Sequence, residues 1–158
     1  MAERRYWLMK SEPDAYSYED LEREKRGQGH WEGIRNFQSR NFMKNDMRVG
    51  DLVFFYYSSC PEPGIAGIME VASEPYPDHT QFDQKSDYYD PTSREEKPKW
   101  WMVDVKAVEK LPNYVSLKTM RETSELAEMI TLRKGNRLSI TPITKAEWGT
   151  VLRLGGKR

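Results

Sequence analysis

The strongest constraint on the fold is a pair of apolar runs near the middle of the chain. Residues 52–57 read LVFFYY and residues 64–71 read GIAGIMEV, and the short segment between them contains Pro61 and Pro63. Apolar runs of about four to eight residues bounded by turn residues are typical of buried strands. The two runs therefore predict neighbouring strands of a buried sheet.

Shorter segments with strand character recur from one end of the chain to the other. Residues 6–9 form an apolar run, and residues 100–108 alternate and are rich in β-branched side chains. Residues 137–143 predict a late strand, which Pro142 either ends or confines to a sheet edge. The predicted strands are thus spread over the whole sequence.

Two of the predicted helices are marked by capping boxes. Ser17 with Asp20, and Thr144 with Glu147, have the spacing at which an N-cap hydroxyl and an acidic side chain satisfy each other's backbone amides. The apolar positions that begin at Trp148 give the last helix a single hydrophobic stripe. Both helices are therefore predicted to be short and to pack on the sheet through one face.

Further helix starts are predicted from single capping residues. Asn36 is a favoured N-cap, and in the helix that follows it Arg40 and Lys44 share a face at i, i+4 spacing. Ser116 and Ser124 predict the starts of two single-turn helices. The chain thus combines many short helices with its strands.

Residues 75–99 interrupt this regular pattern. The segment is rich in Asp, Pro, Lys and Tyr, and it is longer than the usual connection inside a compact domain. Loops of this length tend to be functional or disordered. The sequence contains no internal repeat, low-complexity tract or linker that would divide the chain. We therefore predict one α/β (α+β) domain over residues 1–158.

Composition excludes several classes of protein. No stretch approaches the roughly 20 apolar residues of a membrane helix, and residues 1–5 lead directly into the first strand without a signal peptide. We therefore expect no membrane partner and a cytoplasmic location, or a nuclear one in a eukaryote. With Cys60, His30 and His79 as its entire Cys and His content, the chain has no ligand set for a structural zinc site. We expect neither a metal nor a cofactor.

The distribution of charge is more informative than its sum. A net charge of zero argues against a protein that coats DNA through bulk electrostatics. However, residues 61–98 contain three Lys or Arg against nine Asp or Glu, whereas residues 99–158 contain twelve against six. A basic surface is therefore compatible with the neutral total, and an ordinary solvated surface of mixed charge is the alternative.

Recognisable catalytic motifs are missing from the sequence. Residues 27–33 superficially resemble a phosphate loop, but the third glycine comes one residue late for a dinucleotide fingerprint, and no Gly-Lys-Ser/Thr follows. Asp83, Asp87 and Asp90 lie in a loop without the glycine and terminal glutamate of a calcium loop. His30, beside Trp31, is the remaining candidate for a general base, and no partner for it is visible in the sequence.

Polar residues adjoin aromatic residues at three places. Residues 10–13 (KSEP) follow the first apolar run, residues 31–36 (WEGIRN) lead into the helix capped by Asn36, and residues 56–58 (YYS) end the central strand. A flat heteroaromatic ligand needs such surroundings, with π-faces for stacking and polar groups for its edge. Core packing is the alternative explanation for each Trp or Tyr taken singly.

These residues carry a resemblance to a known family. Residues 7–13 (WLMKSEP), 31–41 (WEGIRNFQSRN), 50–58 (GDLVFFYYS), 64–68 (GIAGI) and 137–142 (RLSITP) resemble the successive motifs of the EVE domain. The similarity extends from about residue 6 to residue 154. Five motifs in this order and at these spacings are far more specific than any one of them.

The resemblance implies a PUA-like fold, in which a curved mixed sheet closes toward a barrel and carries a pocket similar to the methyl-adenine cage of YTH domains. It implies that Trp31 forms a cage wall, and that the pocket rim consists of Lys10, Ser11, Tyr57, Ser58 and Ser139. It also implies that three polar residues at and after the start of the helix capped by Asn36 face the pocket or the adjacent phosphates, namely Arg35, Asn36 and Arg40. We add Lys44, which shares a helix face with Arg40, as a contact to the nucleic-acid backbone.

Two positions differ from the family motif. Tyr57 stands where histidine is frequent, and Ser39 stands where alanine is frequent. These differences alter the hydrogen-bonding groups at the end of the central strand. The long loop is predicted to supply the remaining aromatic wall, with Tyr88 and Tyr89 as candidates.

The resulting hypothesis is a binding module, not an enzyme, that recognises a modified base in DNA or RNA, either a modified cytosine or a methylated adenine. The alternative is a small hydrolase acting on a nucleotide or modified base, with His30 or the Asp-rich loop transferring protons. A third possibility is a protein-interaction domain that uses its aromatic surface to bind protein partners. The sequence leaves the oligomeric state open.

Overall fold

The computed structural model describes residues 4–157. Eight strands and four α-helices occur in this range, and their bounds follow in order: β1 (Tyr6–Ser11), α1 (Tyr18–Arg23), β2 (Gln28–His30), α2 (Phe37–Asn41), β3 (Leu52–Tyr57), β4 (Gly64–Val71), β5 (Tyr76–Pro77), β6 (Trp101–Met102), β7 (Asp104–Ser116), α3 (Leu117–Arg121), β8 (Ile140–Ile143) and α4 (Lys145–Leu154). Short 3-10 turns, including one at His79–Phe82, and a π-helical turn at Phe42–Asp46 complete the regular structure.

A single mixed sheet organises the domain. Its strand order is β2-β7-β4-β3-β1-β8, while β5 and β6 form a separate two-stranded ribbon. Register shifts interrupt the β3–β4 and β4–β7 pairs. Such bulges bend a strand and increase its twist, so the sheet curls toward a half-barrel. The predicted curved mixed sheet with short helices is therefore confirmed.

The central strands are apolar because both of their faces are covered. In β3, Val53 and Phe55 belong to one hydrophobic cluster, whereas Phe54 and Tyr56 belong to a second cluster on the opposite face. Alternate side chains of a strand point to opposite faces, so a sheet with two covered faces shows a continuous apolar run. The two neighbouring strands predicted from residues 52–57 and 64–71 are confirmed.

The direction of three strands determines where polar residues meet. β1 and β3 run parallel, so their carboxyl ends lie side by side at one end of the sheet. β8 runs antiparallel to β1 and begins at that same end. β8 is the outermost strand of the sheet, and its Pro142 stands opposite Trp7 of β1. Pro142 is therefore tolerated, as predicted, because an edge strand leaves one backbone face unpaired.

The predicted helix caps are confirmed. Ser17 with Asp20, and Thr144 with Glu147, form reciprocal capping boxes. Asn36 caps α2, and its side chain accepts a hydrogen bond from the Ser39 amide at 2.9 Å. These caps satisfy amides that a helix leaves without an intrahelical partner. α4 then buries Trp148 against Phe54, with ring centroids 3.7 Å apart.

Other segment predictions were wrong in detail. The strand predicted over residues 100–108 divides at Val103 into β6, which pairs with β5, and β7 of the main sheet. The late strand begins at Ile140 and not at Arg137, because Asn136 forms a turn by accepting a hydrogen bond from the Leu138 amide at 2.9 Å.

The two single-turn helices begin as predicted, since Ser116 caps α3 and a 3-10 turn begins at Ser124. One helix prediction needs correction. α2 ends at Asn41 and continues as the π-helical turn, so Arg40 and Lys44 do not share one regular α-helical face. Within residues 4–157, no helix has both the length and the apolar character required to cross a bilayer.

Candidate ligand pocket at the strand ends

A cavity of about 800 Å³ opens at the end of the sheet where β1 and β3 terminate. Volumes of roughly 300–1,000 Å³ are usual for pockets that enclose small molecules. The lining combines strand-end serines, aromatic rings, the segment after β2 and part of the long loop. This composition matches the requirement of a flat ligand with a polar edge.

Polar strand ends form one side of the cavity. Lys10 and Ser11 end β1 between Ser58, which follows β3, and Ser139, which precedes β8. The Ser58 amide donates to the Ser11 carbonyl, and the Lys10 amide donates to the Ser139 carbonyl, both at 2.9 Å. These backbone hydrogen bonds hold the three segments together and bring their side chains to one edge of the cavity.

Trp31 forms an aromatic wall and is also part of the core. Its ring packs edge-to-face on Phe55 at 5.2 Å and on Tyr16 at 6.3 Å between centroids. Trp31 is 6% exposed and belongs to a hydrophobic cluster of the core. Its amide donates to the Val103 carbonyl at 2.9 Å, which fixes the backbone beside β7. Trp31 therefore contributes to the core as well as to the cavity wall.

Tyr88 from the long loop forms a second aromatic wall. Its ring lies directly over Gly33, where a Cβ atom would come within 2.6 Å of the Tyr88 ring carbon Cζ. Gly33 also has a φ of +88°, a conformation that favours glycine. This position therefore requires glycine for two reasons, its backbone conformation and the close approach of the ring.

A buried ion pair fixes the loop that carries Tyr88. Arg35 Nη1 lies 3.1 Å from Asp78 Oδ2, and the Asp78 side chain is fully buried. Asp78 also accepts hydrogen bonds from the amides of Gly33 and Thr80, both at 2.8 Å. Arg35 Nη2 donates in turn to the Tyr88 carbonyl at 2.7 Å. The carboxylate and the guanidinium thus join the segment after β2 to the long loop.

The pKa of Asp78 reflects these opposing influences. Burial favours the neutral acid, but hydrogen bonds from Thr80 and Gly33, together with the charge of Arg35, outweigh it and lower the pKa of the carboxyl. Lys10 lies on the strand-end side of the cavity, where burial lowers the pKa of its ammonium group. Both groups belong to the structure that shapes the cavity.

Tyr16 is a lining residue that sequence reasoning missed. Its hydroxyl is buried and has no hydrogen-bond partner among residues 4–157. The same hydroxyl and a Glu24 carboxylate oxygen both lie within 3 Å of the position that a Cβ on Gly29 would take. Burial and the neighbouring Glu24 raise the pKa of Tyr16, so the phenol stays protonated and can donate. The sequence offered no signal for this role beyond the nearby capping box.

Six of the predicted ligand residues line the cavity together: Lys10, Ser11, Trp31, Ser58, Tyr88 and Ser139. The other four predicted ligand residues lie outside the lining. Arg35 is bound to Asp78, Asn36 caps α2, the Tyr57 hydroxyl accepts a hydrogen bond from the Tyr18 amide, and Tyr89 is an exposed residue of the long loop. Carboxylates and a second cation also line the cavity and were not predicted: Glu12, Glu24, Glu32, Asp87 and Arg137.

The two predicted phosphate contacts lie beside the cavity and not in it. Arg40 donates to the Lys99 carbonyl at 2.8 Å, and its guanidinium lies 4.7 Å from the Phe37 ring centroid. Lys44 is exposed, with its ammonium group 4.7 Å from the Trp101 ring centroid. Arg40 therefore links α2 to the end of the long loop at Lys99, a contact that the i, i+4 pattern did not indicate.

The fold and the pocket define a class of protein. This is a small mixed α/β domain with a curled sheet, in which a half-open pocket of serines and aromatic rings lies at the ends of a parallel strand pair. A family model described as the EVE domain matches residues 5–154, so the chain belongs to the EVE domain family.

The similar proteins include thymocyte nuclear protein 1 from several vertebrates. The human protein is 40% identical over 96% of this chain and 74% of its own length. A solved structure of human THYN1 protein in complex with 5-methylcytosine-containing DNA has a TM-score of 0.91 and 40% identity, covering 98% of this chain and 99% of that one. A Pseudomonas syringae protein is 44% identical with a TM-score of 0.90, covering 95% and 99%.

Proposed function

We propose that this protein is a nucleic-acid-binding domain that recognises a modified base, with 5-methylcytosine in DNA as the preferred target. The observation that carries the proposal is the cavity between Trp31 and Tyr88, edged by strand-end serines. The DNA complex of the similar human THYN1 protein, whose fold superposes over nearly the whole chain, supports it.

The cavity suits an extruded base better than a base within a duplex. A pocket of about 800 Å³ has room for one pyrimidine, and proteins that act on a base in a duplex flip it out of the stack. Stacking on aromatic rings contributes about 1–3 kcal/mol per base. Trp31 and Tyr88 would supply this energy, and it depends little on which base is bound.

Selectivity then depends on the polar and apolar groups around the ring. The exocyclic amino group of cytosine can donate hydrogen bonds to carboxylates such as Glu12 or Glu24. The carbonyl oxygen and the unprotonated ring nitrogen of cytosine can accept hydrogen bonds from hydroxyl groups. The 5-methyl group needs apolar contact, for which Trp31 and Ile34 are available in the lining. The cavity therefore offers complementary groups for both the amino edge and the methyl group of 5-methylcytosine.

Cations near the cavity are suited to the phosphates that flank an extruded base. Lys10 and Arg137 lie in the lining, and Lys44 is exposed near α2. We retain Lys44 and Arg40 as proposed contacts to the nucleic-acid backbone, with Lys44 the better placed because the Arg40 guanidinium already donates to Asn41 and to the Lys99 carbonyl. Phosphate contacts release counterions, so affinity should fall as salt concentration rises.

The experiment is a fluorescence titration of the full chain with short oligonucleotides in DNA and RNA form. Each set contains cytosine, 5-methylcytosine or thymine at one position, so the methyl group and the amino group are tested separately. We expect the tightest binding for 5-methylcytosine in DNA, with weaker binding of cytosine and of thymine. Equal affinity for all three bases would contradict recognition in the cavity.

We further propose that the domain acts by binding and leaves the base chemically unchanged. The solved complex of the similar human THYN1 protein with 5-methylcytosine-containing DNA is consistent with a binding role. Mass spectrometry of oligonucleotides recovered after prolonged incubation tests this point. An unchanged mass is expected, and a mass corresponding to base loss, deamination or strand cleavage would instead support the hydrolase alternative.

A further inference from the structure

The two histidines of the chain lie side by side although 49 positions separate them in the sequence. His30 and His79 are the only histidines among 158 residues, and their ring centroids are 5.4 Å apart. Glu32 Oε1 lies 3.2 Å from His30 Nε2. Candidate ligand atoms from these three residues all lie within 4.8 Å of one another.

Local structure explains how His30 and Glu32 come to share one face. His30 ends β2, and the chain stays beside β7 through the amide of Trp31. Residues i and i+2 of an extended segment point to the same side, so Trp31 faces the core while His30 and Glu32 face solvent. Trp31 is buried and both of its neighbours are exposed, in agreement with this alternation.

The buried ion pair explains how His79 reaches the same place. His79 follows Asp78 directly, and Asp78 accepts a hydrogen bond from the Gly33 amide at 2.8 Å. Gly33 in turn follows Glu32. The two segments are therefore held together one residue away from Glu32 and from His79, and His30 lies on the same side as Glu32 two positions earlier in the extended segment.

We propose that His30, Glu32 and His79 bind a divalent transition-metal ion, with zinc as the reference ion. Two imidazoles and one carboxylate are a frequent protein ligand set for zinc, and water completes the coordination. Imidazole ligands also suit nickel and copper ions, whereas magnesium and calcium prefer oxygen ligands. The site would therefore discriminate against the common alkaline-earth ions.

The distances require a small adjustment at one ligand. Ligand atoms around a tetrahedral zinc ion lie about 3.4 Å apart when each bond is about 2.1 Å. His30 and Glu32 already approach this spacing at 3.2 Å. The remaining separations of up to 4.8 Å can close by side-chain rotation, because all three residues are exposed.

The proposed ion would lie at the mouth of the cavity. His30 and Glu32 both line the cavity, whereas His79 lies outside its lining. Bound metal would join the segment after β2 to the start of the long loop that carries Tyr88. The inference is independent of base recognition, since it rests on ligand geometry, and His79→Gln removes a ligand without changing a lining residue.

The test is isothermal titration of the tag-free full chain with zinc chloride, repeated with magnesium chloride. We expect saturable binding of one zinc ion and no binding of magnesium at the same concentrations. His79→Gln and Glu32→Gln should each weaken zinc binding by at least about tenfold. Glu22→Gln, which removes an exposed carboxylate on α1, is the matched control and should bind zinc like the parent.

Thermal melting supplies an independent readout. A ligand that binds only the folded state raises the melting temperature, so zinc should stabilise the parent and the Glu22→Gln control more than His79→Gln. Unchanged zinc affinity in His79→Gln would show that His79 is not a ligand and would overturn the proposal, leaving only a surface hydrogen bond between His30 and Glu32. Absence of saturable zinc binding to the parent would also overturn it.

DNA binding is measured in parallel with a chelator present. Retained 5-methylcytosine binding by His79→Gln under these conditions would show that base recognition stands without the metal site. Zinc binding without any base selectivity would show the converse, so the failure of one proposal is distinguishable from the failure of the other.

Discussion

Arg35 and Asp78 form an ion pair at 3.1 Å in which the carboxylate is completely buried and the arginine side chain is 22% exposed. The pair lies behind the cavity and does not line it. Through Asp78 it holds the amides of Gly33 and Thr80, and through Arg35 it holds the Tyr88 carbonyl. Its role is therefore to position the two segments that provide the aromatic walls.

Arg35→Ala should be strongly destabilising because it leaves the buried Asp78 carboxylate without its cation. Loss of one partner of a buried pair costs about 3–5 kcal/mol, and urea denaturation measures this change. Base binding should fall as well, since the loop that carries Tyr88 loses its anchor. Arg23→Ala is the control, because Arg23 forms an exposed i, i+3 pair with Asp20 and its loss should leave stability nearly unchanged.

Gly33→Ala tests the aromatic wall without removing any side chain. An added Cβ would lie 2.6–2.9 Å from three atoms of the Tyr88 ring, so the ring must move. We expect a loss of base affinity of about tenfold or more, the scale of one stacking contact. Oligonucleotide titration and denaturation are measured on the same samples.

Gly135→Ala is the matched control for Gly33→Ala. Both glycines have positive φ, +88° at Gly33 and +80° at Gly135, so the backbone strain of roughly 1–2 kcal/mol is common to both. A Cβ at Gly135 meets no atom within 4 Å. Equal affinity in the two variants would remove Tyr88 from the proposed binding site.

Trp31→Ala should destabilise the fold by about 3–5 kcal/mol, because it removes a buried indole from contact with Phe55 and Tyr16. Trp148→Ala is the control, since Trp148 is equally buried and stacks on Phe54 in the other hydrophobic cluster. Titrations are performed at a temperature where both variants remain folded. Base binding should be lost only in Trp31→Ala, and parallel loss in both would indicate a general effect of stability.

The sequence predicts the sheet and the strand-end groups well because both depend on local patterns. Apolar runs in β3 and β4 and the caps at Ser17 and Thr144 are set by neighbouring residues. The six predicted residues that line the cavity occur at strand ends, in the loop after β2 and in the long loop. The family resemblance groups five of them, whereas Tyr88 was predicted only as one of two candidates in the long loop.

Long-range partners were not predictable from the sequence. Asn36 was correctly predicted as a helix cap, but the same side chain was also predicted to face the pocket. Its side-chain carbonyl oxygen already accepts a hydrogen bond from the Ser39 amide. Arg35 is sequestered by Asp78, 43 positions away. The meeting of His30 with His79 depends on the same pairing of distant segments. Periodicity and capping rules contain no information on such contacts.

Acid should weaken the anchoring of the long loop. Hydrogen bonds from Thr92 and Trp100 lower the pKa of Asp90 to about 2, from an ordinary value of 3.8, and Asp78 is also shifted downward. A carboxyl with a depressed pKa stabilises the folded state above its unfolded pKa, and this stabilisation is lost as pH falls through the folded value.

The expected window for Asp90 is therefore between about pH 4 and pH 2, and stability at neutral pH keeps the full contribution. Melting temperature as a function of pH measures it, and Asp90→Asn should flatten the decline in this range. Asp14→Asn is the control because Asp14 is an exposed aspartate between β1 and α1. An identical decline in Asp90→Asn and the parent would contradict the assignment to Asp90.

Ser58 and Asn36 separate base selectivity from local stability. Ser58 lies in the cavity lining after β3, so its hydroxyl is available to the base edge, whereas Asn36 is committed to capping α2. Ser58→Ala should reduce discrimination between 5-methylcytosine and thymine by about 1–3 kcal/mol, the scale of leaving a buried partner unpaired. Asn36→Ala should cost about 1 kcal/mol of stability and affect both bases equally. Competition titrations with the two oligonucleotides decide the matter, since stacking between Trp31 and Tyr88 would persist in both variants. An equal loss for both bases in Ser58→Ala would assign Ser58 to holding the strand ends, and base identity would then depend on the carboxylates of the lining.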